Sequence, residues 1–187
     1  MLKQIEEFGK YVLIAGLQNV EIKDTEKFLK RFGKENLGVD VQFFDARFVA
    51  SWQHLYFAVL NALTAFKNKR NISKNLAMEI ILYASTQRQI KKALESLGIK
   101  PKHAEVALVI VGDDPRTIKS AFNTIIHAAK AKRDDKVLEL TGEKISCIRE
   151  IFGISNLELE AVMEKGDLKK ALVDIVIERM ALLATQV

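Results

Sequence analysis

Val106-Ala107-Leu108-Val109-Ile110-Val111 is an unbroken apolar run, and four of its six residues are β-branched. A half-exposed strand alternates apolar and polar side chains, and this one does not. The run predicts a strand covered on both faces, so whatever forms around it has to supply cover on two sides. Directly after it, Asp114-Pro115 reads as a helix cap followed by the first helical residue, where the missing proline N–H costs nothing. A helix then runs to about Lys132.

The same rules place other elements. Tyr11 to Leu17 and Val39 to Asp45 read as strands. Between them Asp24 caps a helix carrying Phe28, Leu29 and Phe32, and Gly33 ends it. Ser51 opens a long helix to about Lys67, with Leu55, Ala58, Val59, Ala62 and Leu63 at intervals of three and four. Asn71 to Leu97 reads as helical with a break near Ser85-Thr86, and Lys136 to Leu140 as a short last strand. From Glu143 the pattern is all helix: Gly153 closes one, Ser155-x-x-Glu158 is a capping box, Gly166 ends the next and Asp167 caps the last. The expected class is α/β (α+β). A small mixed sheet is packed by several helices and followed by a helical C-terminal portion, in one domain over residues 1–187.

Composition narrows the function. Apolar residues make up 49% and charged residues 28%, the balance of a globular chain. No apolar run approaches the ~20 residues of a membrane span. The first residues, with Glu6 and Glu7, read as neither a signal nor a transit peptide. The single cysteine, Cys147, excludes an intrachain disulfide and a multi-thiolate zinc site, and reads as a small hydrophobe. A cytoplasmic location is expected. No phosphate-binding glycine loop or nucleophile elbow is present, and His54, His103 and His127 lack metal-type spacing, so neither cofactor nor metal is expected. Asp113-Asp114 fits a turn and helix cap, or a Mg²⁺ pair at a strand end.

Between Lys67 and Lys102 lie nine cations and two acids, Glu79 and Glu95. That excess of seven exceeds the +5 of the whole chain. The zone fits a polyanion partner, nucleic acid first, or a solvated lysine-rich face. Phe43, Phe44, Phe48, Trp52, Tyr56 and Phe57 cluster nearby; such rings pack a core or stack unpaired bases, and Trp52 is the least determined. On the last helix Leu168, Leu172, Ile175, Val176 and Leu183 form one stripe, which Val173, Ile177, Met180 and Ala184 widen. Only Lys170, Asp174 and Glu178 form a polar strip. An arc this wide is either sandwiched in its own fold or shared with a partner.

Three segments carry a resemblance. Phe44-Asp45-Ala46-Arg47-Phe48-Val49 is followed by His54-Leu55 and Ala58, Ala62 and Ala65-Phe66. Arg70-Asn71-Ile72-Ser73 precedes Met78-Glu79-Ile80-Ile81-Leu82-Tyr83-Ala84-Ser85 and Gln87-Arg88-Gln89-Ile90. Ile148-Arg149-Glu150-Ile151-Phe152-Gly153-Ile154 precedes Val176-Ile177-Glu178-Arg179-Met180. Together these resemble the PRPK-binding protein family, the small regulatory Cgi-type subunit of the KEOPS/EKC complex. The resemblance implies a non-catalytic subunit that docks on and stimulates a PRPK-type atypical kinase/ATPase. It also implies binding of tRNA by its single-stranded 3′ CCA end, for threonylcarbamoyladenosine modification. In that light Ile175, Ile177, Met180 and Leu183 are the kinase-binding candidates. Arg70, Asn71, Lys74, Arg88, Gln89 and Lys92 are the tRNA-binding candidates, with capping and packing at the helix junction the other role open to Arg88 and Gln89. Thr86 stands where the family often has glycine, which predicts a less sharp turn. The stretch from Lys130 to Glu143 looks longer than the family's usual. Two rivals remain: a small metal-dependent hydrolase using Asp113 and Asp114, and a stand-alone RNA-binding protein with its last helix wholly buried.

Overall fold

The computed structural model describes residues 1–33, 37–101, 104–183 and 185. His103, Lys102 and Ala184 lie outside them. By contacts the chain divides into two compact units, one of residues 1–46 with 98–137, the other of residues 47–97 with those from 138 on.

The first unit holds the sheet: β1 (Leu2–Ile5), β2 (Lys10–Gln18), β3 (Asp40–Asp45), β4 (Val106–Gly112) and β5 (Lys132–Arg133). Its helices are α1 (Thr25–Arg31) and α5 (Pro115–Ala129). Strand order is β1-β2-β4-β3, with β5 on β2. Every pairing is antiparallel, so the α+β class holds while the expected mixed sheet does not. The reason is the route of the chain. β2 and β3 run the same way and are joined through α1, but β4 is inserted between them, antiparallel to both. A helix between two strands suggests parallel neighbours; a split crossover keeps the helix and removes the parallel pair.

All seven residues of β4 are buried, as its lack of alternation requires. Phe28, Phe32 and Phe43 meet edge-on or tilted at 5.0–5.8 Å, which fixes α1 on β3. α5 lays Ile118, Ala121, Phe122 and Ile125 on the same core, and Asp114 caps it by accepting the Thr117 N–H at 3.1 Å. The strand expected at Lys136 to Leu140 is instead a 3-10 turn, Asp135–Leu138. The Asp135 carboxylate accepts the Gly16 N–H (3.1 Å), taking the place of a neighbouring strand's carbonyl, and Gly16 O accepts the Asp134 N–H at 2.9 Å. A Cβ on Gly16 would stand 2.3 Å from Asp134 O, so only glycine allows this approach.

The second unit is helical: α2 (Trp52–Lys67), α3 (Leu76–Ser85), α4 (Ile90–Leu97), α6 (Gly142–Phe152), α7 (Asn156–Val162) and α8 (Leu168–Leu183). α2 and α3 form a packed hairpin. Asn71 to Asn75, expected to be helix, is a loop, because its short polar side chains bond the local backbone instead. The Asn71 amide donates to Ser73 O (2.9 Å), the Ser73 hydroxyl accepts the Asn75 N–H, and Asn75 caps α3. Glu79, fully buried, accepts the N–H groups of Ile72 (3.1 Å) and Ser73 (2.7 Å).

At the other end of the hairpin sits His54, also fully buried. Its Nδ1 accepts the Ala50 N–H at 3.2 Å. The proton therefore stays on Nε2, which donates to Ala84 O at 2.8 Å. The imidazole thus ties the first turn of α2 to the last turn of α3. α3 ends at Thr86, whose φ of +55° is the left-handed conformation a glycine would take. The turn is thus as sharp as a glycine cap, and the β-branched side chain bears the strain.

Two outcomes are expected. Thr86→Gly should stabilise the protein by about 1 kcal/mol by relieving that conformation, read from denaturant midpoints at unchanged slope; a loss of stability would contradict the strained cap. Burial lowers the His54 pKa from 6.5 to about 4. Between these values the unfolded chain takes a proton that the folded chain refuses. Stability is therefore full above pH 6.5 and falls with pH down to about 4. That loss should total roughly 3 kcal/mol and be absent in His54→Gln, seen in urea titrations at stepped pH.

Candidate functional site

Between Asp45 and Glu95 the chain has one acid, Glu79. That acid is the buried one, spent on the loop beneath Ile72 and Ser73. The same stretch carries eight cations. Its exposed surface therefore holds arginine and lysine with no carboxylate among them. Elsewhere some cations are matched, as in Lys10–Asp113, Lys130–Glu21 and Arg133–Asp135, while others such as Lys23, Lys119 and Lys136 have no ion-pair partner among the described residues. Lys69, Arg70, Lys74, Arg88, Lys91 and Lys92 have no ion-pair partner among the described residues. Unscreened like charges repel one another and hold the local potential positive.

The hairpin sorts these residues into two groups. Arg70, Asn71 and Lys74 sit on the loop that enters α3, and Arg88, Gln89 and Lys92 follow its far end. α3 is ten residues long, so the groups stand roughly 15 Å apart. Arg70, Lys74, Arg88, Gln89 and Lys92 are exposed; Asn71 is half-buried and its amide is already committed to Ser73 O. Tyr83 lies between the groups. Burial raises its pKa and the buried Glu79 charge adds to that, while Arg88 acts in the opposite sense. Lys100 belongs to the other unit.

The open strip of α2 carries Trp52, Tyr56 and Phe57. Trp52 and Phe57 are each 39% exposed. Tyr56 lies between them, its ring centroid 6.2 Å from Trp52 and 6.1 Å from Phe57. Phe43 and Phe44, by contrast, are core.

α8 packs on α2, α3, α6 and α7. Ile175, Met180 and Leu183 are buried by that packing, so three of the four residues expected to face a kinase point inward. Ile177 is half-buried and stays at the open edge with Val173. Leu182, 51% exposed, was missed because the apolar stripe was centred on its buried neighbours. Lys170, Asp174 and Glu178 are exposed, as the polar strip requires.

Arg149 and Arg179, both in the third familiar segment, have structural work. Arg179 donates to the carbonyls of Phe152 and Gly153 and to Glu158 Oε1 (2.5 Å). Arg149 donates to Ile154 O and Asn156 Oδ1. Both thus satisfy groups at the α6–α7 junction. The Ser155 backbone and Arg179 hold the Glu158 pKa down to about 2. Asp114 is committed to its cap and Asp113 to Lys10 Nζ at 2.6 Å. Among the described residues no group of three or more His, Cys, Asp or Glu is placed to hold a metal.

Comparison with known proteins agrees with the familiar segments. The family described as kinase binding protein CGI-121 matches residues 18–184. The regulatory protein Cgi121 of Methanocaldococcus jannaschii is 35% identical over 133 residues, which cover 70% of this chain and 83% of that protein. With the match running from the end of β2 through α8, the chain belongs to the CGI-121 kinase binding protein family.

Proposed function

We propose that this chain is a cytoplasmic, non-catalytic regulatory subunit of the KEOPS complex. It binds and stimulates a PRPK-type atypical kinase/ATPase and helps recruit tRNA by its 3′ CCA end for threonylcarbamoyladenosine modification. Family membership supports the kinase half. The observation that carries the tRNA half is the acid-free basic surface from Arg47 to Lys92, with its one carboxylate turned inward. Arginine and lysine there suit phosphates, and Gln89 suits the edge of an unpaired base. The open edge of α8 at Val173 and Ile177 is the surface offered to the kinase, with exposed Leu182 on the other side of the polar strip. That edge also favours an adaptor over a stand-alone RNA-binding protein, whose last helix would be wholly covered.

Two experiments test the halves separately. The protein should co-elute with a PRPK-type kinase on size exclusion, and Ile177→Glu should weaken that complex at least about tenfold by burying a lone charge. Because Ile177 is only half-buried, the variant should keep its circular dichroism. A folded wild type that never co-elutes with the kinase removes the kinase half. Arg88→Glu with Lys92→Glu should weaken tRNA binding and lower its salt slope by about 0.7 per lost phosphate contact. Trimming CCA should weaken binding as well; equal affinity for trimmed tRNA removes the 3′-end assignment.

A further inference from the structure

Tyr11 to Leu17 is a run of β2 with neither charge nor proline, and Val12 to Leu17 are buried. A segment of this kind pairs readily with copies of itself wherever its backbone edge is open. One edge of β2 is taken by β4 from Tyr11 to Leu17. The other edge is covered in pieces. β1 pairs with it from Lys10 to Leu13. Met1 then exchanges hydrogen bonds with Ile14, at 2.6 and 2.8 Å. From Gly16 to Gln18 the cover is a strap formed by Lys132 to Lys136. Its first two residues are β5, with Lys132 opposite Gln18 and Arg133 opposite Leu17. At Gly16 a side chain replaces the strand. The Asp134 N–H still donates to Gly16 O (2.9 Å), but the Gly16 N–H is taken by the Asp135 carboxylate (3.1 Å).

The strap is pinned at several points. Asp134 Oδ2 accepts the Gln18 side-chain amide at 2.9 Å, and its Oδ1 accepts the Lys136 N–H at 3.1 Å. Arg133 donates to both oxygens of Asp135, at 2.6 Å for the shortest bond. Its guanidinium lies 5.7 Å from the centroid of the Phe122 ring, which holds the strap to α5. All five residues from Lys132 to Lys136 are charged. Charge beside an apolar strand opposes the approach of another strand. A carboxylate also ends the ladder, because it satisfies the Gly16 N–H without turning backbone groups of its own outward. The edge left over, on β1, is four residues long with three of them exposed, Lys3 among them, and a short polar edge is a poor template. We propose that Lys132 to Lys136 are an edge guard, which keeps β2 from pairing with β2 of a second copy of this chain. The occupant excluded is a second copy because the same uncharged run then lies on both sides. A two-fold axis at Gly16 would let each glycine exchange its N–H and C=O with the other in an antiparallel pair.

The test compares the full chain with Asp135→Ala by sedimentation velocity at rising concentration, and follows the Gly16 amide by hydrogen exchange. In the unmutated protein that amide should be protected at every concentration. In Asp135→Ala it should exchange freely when dilute and regain protection as the protein is concentrated. The variant should associate at least about tenfold more strongly, since each glycine pair adds two backbone hydrogen bonds. Asp135→Asn keeps an oxygen that accepts the Gly16 N–H and should stay near the unmutated protein. Val111→Ala, buried in β4, weakens the sheet and leaves the strap in place. With its stability loss compared in urea, it should show no added association. Asp135→Ala no more associated than the unmutated protein overturns the guard. Equal association by Val111→Ala overturns it too, because loss of stability is then the cause. Oligomers of Asp135→Ala in which Gly16 still exchanges freely place the contact elsewhere and also overturn it. If Asp135→Ala does not fold, Arg133→Ala takes its place, since it removes the clamp on the carboxylate and should shift association the same way. Association unchanged in a folded Arg133→Ala then overturns the guard.

Discussion

A neutral imidazole holds the helical unit in register. His54 accepts one backbone N–H and donates to one backbone carbonyl, so both nitrogens are satisfied without a charge in a site that excludes water. Replacing either partner would strand a buried polar group. The consequence reaches well past the ring. With Ala84 anchored to the first turn of α2, the left-handed step at Thr86 follows at a fixed place, and α4 with its cations leaves the hairpin there. Glu79 does the corresponding work at the opposite end, where a buried carboxylate organises the loop of Asn71 to Asn75. The two buried polar groups bracket α3 and fix where both basic groups emerge.

Glu79 also decides the electrostatics. A carboxylate on the surface would screen its cationic neighbours. Turned inward and bound to two N–H groups, it instead stabilises the loop that carries Arg70 and Lys74. One residue thus shapes the loop that carries part of the basic surface. The familiar arginines divide along the same line of burial and partner. Arg179 and Arg149 close the carbonyls at the α6–α7 junction, whereas Arg70 and Arg88 are left without a carboxylate among the described residues. Motif membership alone did not separate these roles.

Much of the chain was legible in its sequence because the signals were local. Asp24, Ser51, Asp114 and Ser155 cap helices as their side chains predict, since a cap acts within three residues of itself. The unbroken apolar run of β4 predicted burial, periodicity predicted α2, and the Asp114-Pro115 cap predicted α5. Failures came where a distant group competed with a local preference. The strand expected at Lys136 to Leu140 yields to Asp135 bonding Gly16. The helix expected from Asn71 yields to Glu79 and to the loop's own short polar side chains. Thr86 takes a glycine's conformation because the hairpin holds it there.

The sequence by itself determined most element types, their caps, the excess of positive charge and the family, because each is written in residue identity or in spacing of a few residues. Tertiary structure alone decided the insertion of β4 between β2 and β3, the inward turn of Glu79 and which arc of α8 stays open. These depend on pairings between residues tens of positions apart. Such pairings leave no period in the sequence and are chosen by which groups can bury and satisfy one another at once.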